Sequence, residues 1–336
     1  MTTTISLATR DCIVLGCDSL ATSINSFLDP YRIADHFFEA DGAIKRDGNG
    51  DPTLKTAAQL AAFITQVPRD QLPNVTKLYQ LKPLKIGLTF AGRAGLGNLS
   101  VKNLVDSFLA DDSFKPLIEN HPTVETAANC FFDFTKNIYD QHYGSLPDHL
   151  KPVMEILLSG YSPASLQPEV FRLELSPNAF IKPELSGGVC GIVYSGQYDV
   201  IQRVVRGLDL ASYIALHDRS EGVLNVYHQK LQAFLTSQNI QVELPTPDMN
   251  DGALKLFGSD LGGIKGLNAN HDSLSEQAAI NFVEFLIDTM IKAQQFSGSI
   301  PTVGGEIHIA IITKAGGFKW ISKEEYTFRG HAVSKH

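Results

Sequence analysis

The chain opens Met1-Thr2-Thr3-Thr4 and soon reaches an aspartate, Asp18, inside the small-residue stretch GCDSLAT. Thr2 is one proteolytic cut from being an N-terminal residue. An N-terminal threonine carries a hydroxyl nucleophile and an amine base together, so it can attack a carbonyl carbon without a separate histidine. A third group is Lys77, which opens the alternating stretch KLYQL. Each also has a plain structural reading: strand propensity for the threonines, a turn cap for Asp18 and a solvated side chain for Lys77. Their order and their surroundings favour the chemical reading.

Other constellations carry less. DGNGD (Asp47 to Asp51) has the oxygen spacing of a calcium loop, but Pro52 stands where glycine is needed and Ala58 where a bidentate glutamate is needed. It reads as a surface loop. AGRAGLG (Ala91 to Gly97) follows a strand and precedes a helix, yet lacks both GxGxxG and a phosphate-loop lysine. It reads as a packed strand-to-helix turn whose backbone N–H groups could still face an oxyanion. The ten histidines form no HExxH, and no GxSxG elbow exists. SGYS at 159–162 is explained by packing. No metal and no cofactor is expected.

These residues need a scaffold, and the composition supplies one. With 336 residues, 43% hydrophobic and 19% charged, the chain can bury a full core. The net charge of −8 and the lack of any Lys/Arg block argue against nucleic acid. No apolar run reaches the ~20 residues a membrane helix needs, so no membrane partner is expected. Arg10 and Asp11 come too early for a signal peptide. The four cysteines form no CxxC pair and read as reduced thiols of a cytoplasmic protein. Strand alternation puts Cys12 and Cys17 on opposite faces.

Residues 3–9 and 12–17 read as strands joined at Thr9-Arg10-Asp11. The stretch from about 23 to 74 reads as an irregular insertion containing one short helical pattern, LKTAAQLAAFITQV. Strands KLYQL and KIGLTFA follow, around a turn at Lys82-Pro83. Helices are predicted over roughly 98–110 and 123–142, the second started by Thr123. VMEILLSGY, EVFRLEL and GGVCGIVYSG are strands, and a helix begins near Tyr198. A second polar, glycine-rich insertion covers about 217–271. The helix SLSEQAAINFVEFLIDTMIKAQQF is given a capping box at Ser273 and Glu276, and EIHIAIITKAGGFKWIS closes as a hairpin. This order fits two antiparallel sheets packed face to face with helices outside, not a doubly wound parallel sheet. On the 123–142 helix, Ala127, Ala128, Phe131, Phe132, Phe134 and Ile138 cover more than the roughly 100° stripe one face requires. That points to a subunit contact, or else to an insertion folded over the helix.

TTTISLATRDCIVLGCDSLAT resembles the start of a mature proteasome β-type subunit, a family of N-terminal-nucleophile (Ntn) hydrolases. Asp18 stands sixteen residues after Thr2, and Lys77 opens a second hairpin with Gly92 fifteen residues on. EILLSGYSPASLQPEVFRLEL is similar to the family's central hairpin, GIVYSGQYDVIQRVV to its serine-glycine step into a helix, and VGGEIHIAIITKAGGFKWI to its last strands. The resemblance implies an α+β fold, a four-layer αββα sandwich, in one domain over 1–336 with the insertions at about 23–74 and 217–271 outside the match.

It also implies roles. Thr2 Oγ attacks while its own α-amine, titrating near ~7.7–8.0, takes the proton directly or through water. Lys77 biases that amine toward neutrality and Asp18 orients Lys77. The Gly92 N–H stabilises the tetrahedral oxyanion, by about 3–4 kcal/mol. Ser195 lies beside the α-amine and relays its proton. Thr22 and Ala94 offer main-chain groups to an extended substrate, and Phe90 shortens the first specificity pocket. The implied partners are a peptide or protein substrate and further copies of the chain, as a homo-oligomer. Met1 is expected to be removed, since threonine is small. The family's active members usually carry an aspartate and a serine before the final GG. Here the stretch is SIPTVGG, with Ile300 and Val303 at those positions and Ser299 or Thr302 as candidate substitutes. The alternatives are a catalytically inactive β-type structural subunit and a small-substrate amidohydrolase of the same superfamily.

Overall fold

The first two apolar alternations form strands β1 (Thr3–Ala8) and β2 (Cys12–Asp18), buried along their whole length. The Thr9 hydroxyl turns the chain between them by accepting from the Asp11 and Cys12 amides. The computed structural model describes residues 2–56, 59–60, 63–112, 122–163, 167–207, 209–242, 244–245, 267, 270–298, 300–323, 327–328 and 331–332. After β2, β3 (Ala21–Leu28) runs outward and β4 (Ile64–Leu72) returns beside it. Between them lies helix α1 (Pro30–Phe37), started by Asp29, whose carboxylate accepts from the Tyr31 and Arg32 amides.

Next come β5 (Leu78–Gln80) and β6 (Ile86–Gly92), then a short hairpin of β7 (Gly95–Leu96) and β8 (Leu99–Ser100). Helices α2 (Val101–Ala110) and α3 (Val124–Tyr143) follow, with N-cap side chains Ser100 and Thr123. Strands β9 (Met154–Tyr161), β10 (Pro168–Leu175), β11 (Phe180–Leu185) and β12 (Gly191–Gly196) lead into helices α4 (Asp199–Arg206), α5 (Leu210–Ser237) and α6 (Glu276–Gln295). Strands β13 (Ile307–Thr313) and β14 (Gly317–Ser322) follow, and a two-residue pair at Thr327–Phe328 and His331–Ala332 comes after them.

Two five-stranded antiparallel sheets result, in the orders β12-β1-β2-β13-β14 and β11-β10-β9-β6-β5. Period-two alternation explains how they pack. Ile13, Leu15 and Cys17 of β2 meet Leu157, Tyr161 and Val170 of the other sheet in one core cluster. The opposite face of the first sheet, with Ile5, Leu7 and Val14, packs on Val283, Leu286, Ile287 and Met290 of α6. Leu88, Phe90, Ile156 and Leu158 turn to α2 and α3, meeting Leu104, Phe108, Ala128 and Phe131. Each fully buried side chain of this size contributes about 1.5–3 kcal/mol. Cys12 and Cys17 fall in different clusters, on opposite faces as alternation requires.

Several expectations are corrected. The 23–74 stretch is not irregular, since β3, α1 and β4 organise it, and Ile64–Val67 of the expected helical pattern lies in β4. Pairing with β3 overrides the local helical period there. The start of the second insertion is helical, because α5 continues to Ser237. The cap of α6 is Ser275, whose hydroxyl accepts from Ala278, whereas Ser273 ends a separate turn at His271–Ser273. Strand β11 carries too weak an alternation, FIKPEL, to be read from sequence.

Part of the surplus apolar surface of α3 is covered within the chain. Phe132, Phe134 and Ile138 pack partly buried against the core, and Phe108 of α2 meets Phe131 edge-on and Phe134 at a tilt, at 5.0 and 5.4 Å. Among the described residues, no helix is long and apolar enough to cross a membrane.

Candidate active site

Asp18 ends β2 fully buried, and its carboxylate collects four donors. Oδ1 accepts from the Thr3 amide at 2.9 Å and from Lys77 Nζ at 2.9 Å. Oδ2 accepts from the Leu20 amide at 3.2 Å and the Gly304 amide at 3.1 Å. A buried carboxylate is tolerated only when it is satisfied in this way. Lys77 Nζ also donates to the Leu20 carbonyl at 2.5 Å. The pair therefore ties together the starts of β1 and β5, the end of β2 and the loop before β13.

Thr2 is held by its backbone. The Gln197 amide donates to the Thr2 carbonyl at 2.7 Å, and the Thr3 hydroxyl donates to the Gln197 carbonyl at 2.6 Å. Gly196 makes this possible. Its φ is +80°, and a Cβ there would stand 2.0 Å from the Thr2 carbonyl oxygen. Gly92 ends β6 with φ +84°, where a Cβ would meet the Val153 carbonyl at 2.6 Å. Both positions demand glycine.

Thr2, Thr22, Lys77, Phe90, Gly92 and Ala94 all line one open cleft of about 1900 Å³. Six of the eight residues picked from sequence thus share a surface, and Asp18 stands directly behind Lys77. Phe90 is nearly buried, edge-on to Tyr79 and Phe131 at 5.8 and 6.3 Å, so it forms wall and core at once. The Thr22 hydroxyl donates to the Pro301 carbonyl at 3.4 Å. The Ala94 carbonyl accepts the Val101 amide at the start of α2, so its oxygen is already engaged.

Ser195 is not among the residues that line this cleft. It pairs with Thr4 across β1 and β12, and its hydroxyl donates to Glu155 of β9. Glu155 was not legible from sequence, because a single glutamate early in a strand carries no signature. Gln197 and Gln294 were missed for the same reason. Thr302 donates to Gln197 Oε1 at 2.5 Å, and Gln294 Nε2 donates to the same oxygen at 3.3 Å. Thr302 therefore supports the backbone clamp on Thr2, and not Ser195. Val303 is buried and apolar, Ile300 is exposed, and Ser299 lies outside the described residues.

Cys17 sits beneath Lys77, and burial pushes its thiol up to about 12, so it is a neutral thiol and no rival nucleophile. His308, opposite Cys17 on β13, is buried and held below the usual imidazole range by burial, so it is uncharged beside the Lys77–Asp18 pair. The DGNGD loop closes on itself, Asp47 accepting from the Asn49 and Asp51 amides and pairing with Lys55. Among the described residues, no group of three His, Cys, Asp or Glu side chains is placed to hold a metal ion.

Fold and site together define a class: a mixed α/β protein whose two antiparallel sheets end at a buried lysine–aspartate pair beneath an open cleft. No protein-family model and no curated protein sequence matches the chain. Among solved structures it is similar to "Anbu (Gly-1) mutant" from Hyphomicrobium sp. strain MC1, with 12% identity and a TM-score of 0.47 over 96% of this chain and 88% of that one.

Proposed function

We propose that this chain is a proteasome-like threonine hydrolase that cleaves peptide or amide bonds through Thr2 once Met1 is removed. One observation carries the reading: Lys77 and Asp18 form a buried ion pair under a cleft that Thr2 and Gly92 also line. In this reading Thr2 Oγ attacks the carbonyl carbon and the Thr2 amine receives the hydroxyl proton. Lys77 places positive charge beside the amine and the nucleophile, and the Gly92 N–H meets the oxyanion. The layers are taken as a four-layer αββα sandwich in one domain over 1–336, and the protein as cytoplasmic.

A cleft of about 1900 Å³ exceeds the roughly 300–1,000 Å³ of a typical small-molecule pocket, which favours an extended peptide over a small amide substrate. The inactive-subunit alternative draws on Ile300 and Val303, which bring no acid or hydroxyl to the site.

The purified protein is expected to have the intact mass of a chain beginning at Thr2 and to hydrolyse peptide amides. Thr2→Ala is expected to lower the rate by on the order of 10³ or more, as loss of a nucleophile does. A preparation that lacks Met1, is folded and still shows no Thr2-dependent hydrolysis would leave the structural-subunit reading standing.

A homo-oligomer is proposed on a new ground. Helix α5 exposes Val223, Tyr227 and Phe234, which fall along one side of the helix at spacings of four and seven. Light scattering is expected to report several subunits at micromolar concentration. A single species near 36.7 kDa would exclude the assembly.

A further inference from the structure

The chain carries 28 lysines and arginines against 36 aspartates and glutamates, a net charge of −8. The cleft that Thr2 lines reverses that sign. Lys77, Lys82, Arg93, Lys102 and Lys323 line it, and Asp106 is the one acidic residue among the described residues that do. Two of these cations are already matched. Lys77 pairs with Asp18 and Lys102 with Asp106, at 2.9 and 2.5 Å. Lys82, Arg93 and Lys323 pair with no acidic side chain among the described residues. A cleft walled by one sign of charge concentrates molecules of the other sign.

Arg93 is the unpaired cation best placed to meet a substrate. It directly follows Gly92, so the two Cα atoms stand about 3.8 Å apart. Its amide donates to the Val153 carbonyl at 3.2 Å, which fixes the backbone, and its side chain is exposed. The guanidinium carbon lies 5.5 Å from the centre of the Tyr143 ring. Tyr143 is itself held, buried and with its hydroxyl accepting from the Gly97 amide at 2.8 Å. Stacking occupies one face of the planar guanidinium and leaves its edge of N–H donors, the geometry that grips a carboxylate at two points. Lys323 is ordered in a similar way, its ammonium 5.0 Å from the centre of the Trp320 ring. Lys82 sits in the turn between β5 and β6.

We propose that this cleft selects acidic peptides, with Arg93 receiving the carboxylate of an aspartate or glutamate next to the bond that is cut. Lys323 and Lys82 favour further acidic residues along the same segment. The inference rests on the reading of Thr2 as nucleophile and Gly92 as oxyanion donor, because that reading puts the scissile carbonyl beside Arg93. The substrate carboxylate exchanges no proton, so selection acts through binding and orientation. A glutamine of nearly the same shape lacks the charge, and a charge-assisted hydrogen bond is roughly twice as strong as a neutral one.

The test uses a pair of fluorogenic tetrapeptide amides, identical except for Glu or Gln at both residues before the cut bond. With the chain that begins at Thr2, in low salt, kcat/KM is expected to be about tenfold or more higher for the Glu peptide. That gap is expected to shrink to about threefold or less in 1 M sodium chloride, where the screening length falls to about 3 Å. Arg93→Gln is expected to lower kcat/KM about tenfold more for the Glu peptide than for the Gln peptide. Arg93→Lys keeps the charge without the fork and is expected to fall between. A purely structural role for Arg93 would slow both peptides equally.

Equal rates for the two peptides, a preference that ignores salt, or equal losses with Arg93→Gln would overturn the inference. Binding of fluorescein-labelled forms of the same peptides to Thr2→Ala, read by fluorescence anisotropy, separates the two levels. Thr2-dependent hydrolysis with no Glu preference removes only the charge selection. If nothing is hydrolysed and the Glu peptide still binds about tenfold tighter, the Thr2 reading falls and the acid-selective cleft stands. If nothing is hydrolysed and both peptides bind alike, both readings fall.

Discussion

Lys77→Ala is expected to reduce peptide-amide hydrolysis by about 10³-fold or more while the protein stays folded. The activity estimate combines loss of a charge beside the base with loss of electrostatic support for the oxyanion. The fold survives because Asp18 keeps three backbone donors, from Thr3, Leu20 and Gly304. A carboxylate accepting three N–H groups remains satisfied in its ionised form. What is lost is one donor to Asp18 and one to the Leu20 carbonyl, worth about 1–3 kcal/mol together.

The partner substitution should behave differently. Asp18→Ala strands a buried ammonium and three amides at once, and is expected to cost about 3–5 kcal/mol. Denaturant unfolding beside the hydrolysis assay distinguishes the two variants. Lys77→Ala activity within about twofold of the unaltered protein would return Lys77 to a purely structural role.

Gly196→Ala is expected to damage stability and activity together. A left-handed backbone costs a non-glycine residue about 1–2 kcal/mol. The added methyl would also stand 2.0 Å from the Thr2 carbonyl oxygen and 3.1 Å from Ala91 Cβ. Backbone atoms cannot step aside as a flexible side chain can, so β1 must shift away from β12, at a further cost of about 1–3 kcal/mol. The shift moves Thr2 itself, and a misplacement of about 1 Å commonly costs on the order of 10²-fold in rate. Thermal unfolding and hydrolysis at a permissive temperature read both effects. Wild-type behaviour in both assays would show that Thr2 does not sit where Gly196 places it.

Much of the framework follows from short-range pattern. TTISLA and CIVLGCD alternate with period two over a turn that Thr9 stabilises, so β1 and β2 are legible as a hairpin. Thr123 and the apolar positions after it announce α3 in the same way. Thr2, Asp18 and Lys77 are legible as reactive residue types at the start or end of such local elements, whereas Gly92 as an oxyanion donor comes only from the family resemblance.

The tertiary structure alone decided what surrounds them. The amide that completes Asp18 comes from Gly304, 286 positions away, and Lys77 arrives from 59 positions away. Ser195 meets Glu155 only because β12 and β9 lie in different sheets whose inner faces stack. Phe131 and Phe134, part of the wide apolar surface of α3, meet Phe108 of α2. The helical period of LKTAAQLAAFITQV does not decide its end, because Ile64–Val67 pair with β3. Local sequence determines which way a side chain points within its own strand or helix. Which group it then meets depends on sheet register and on how the two sheets stack, and both are set by burying apolar area summed over the whole chain.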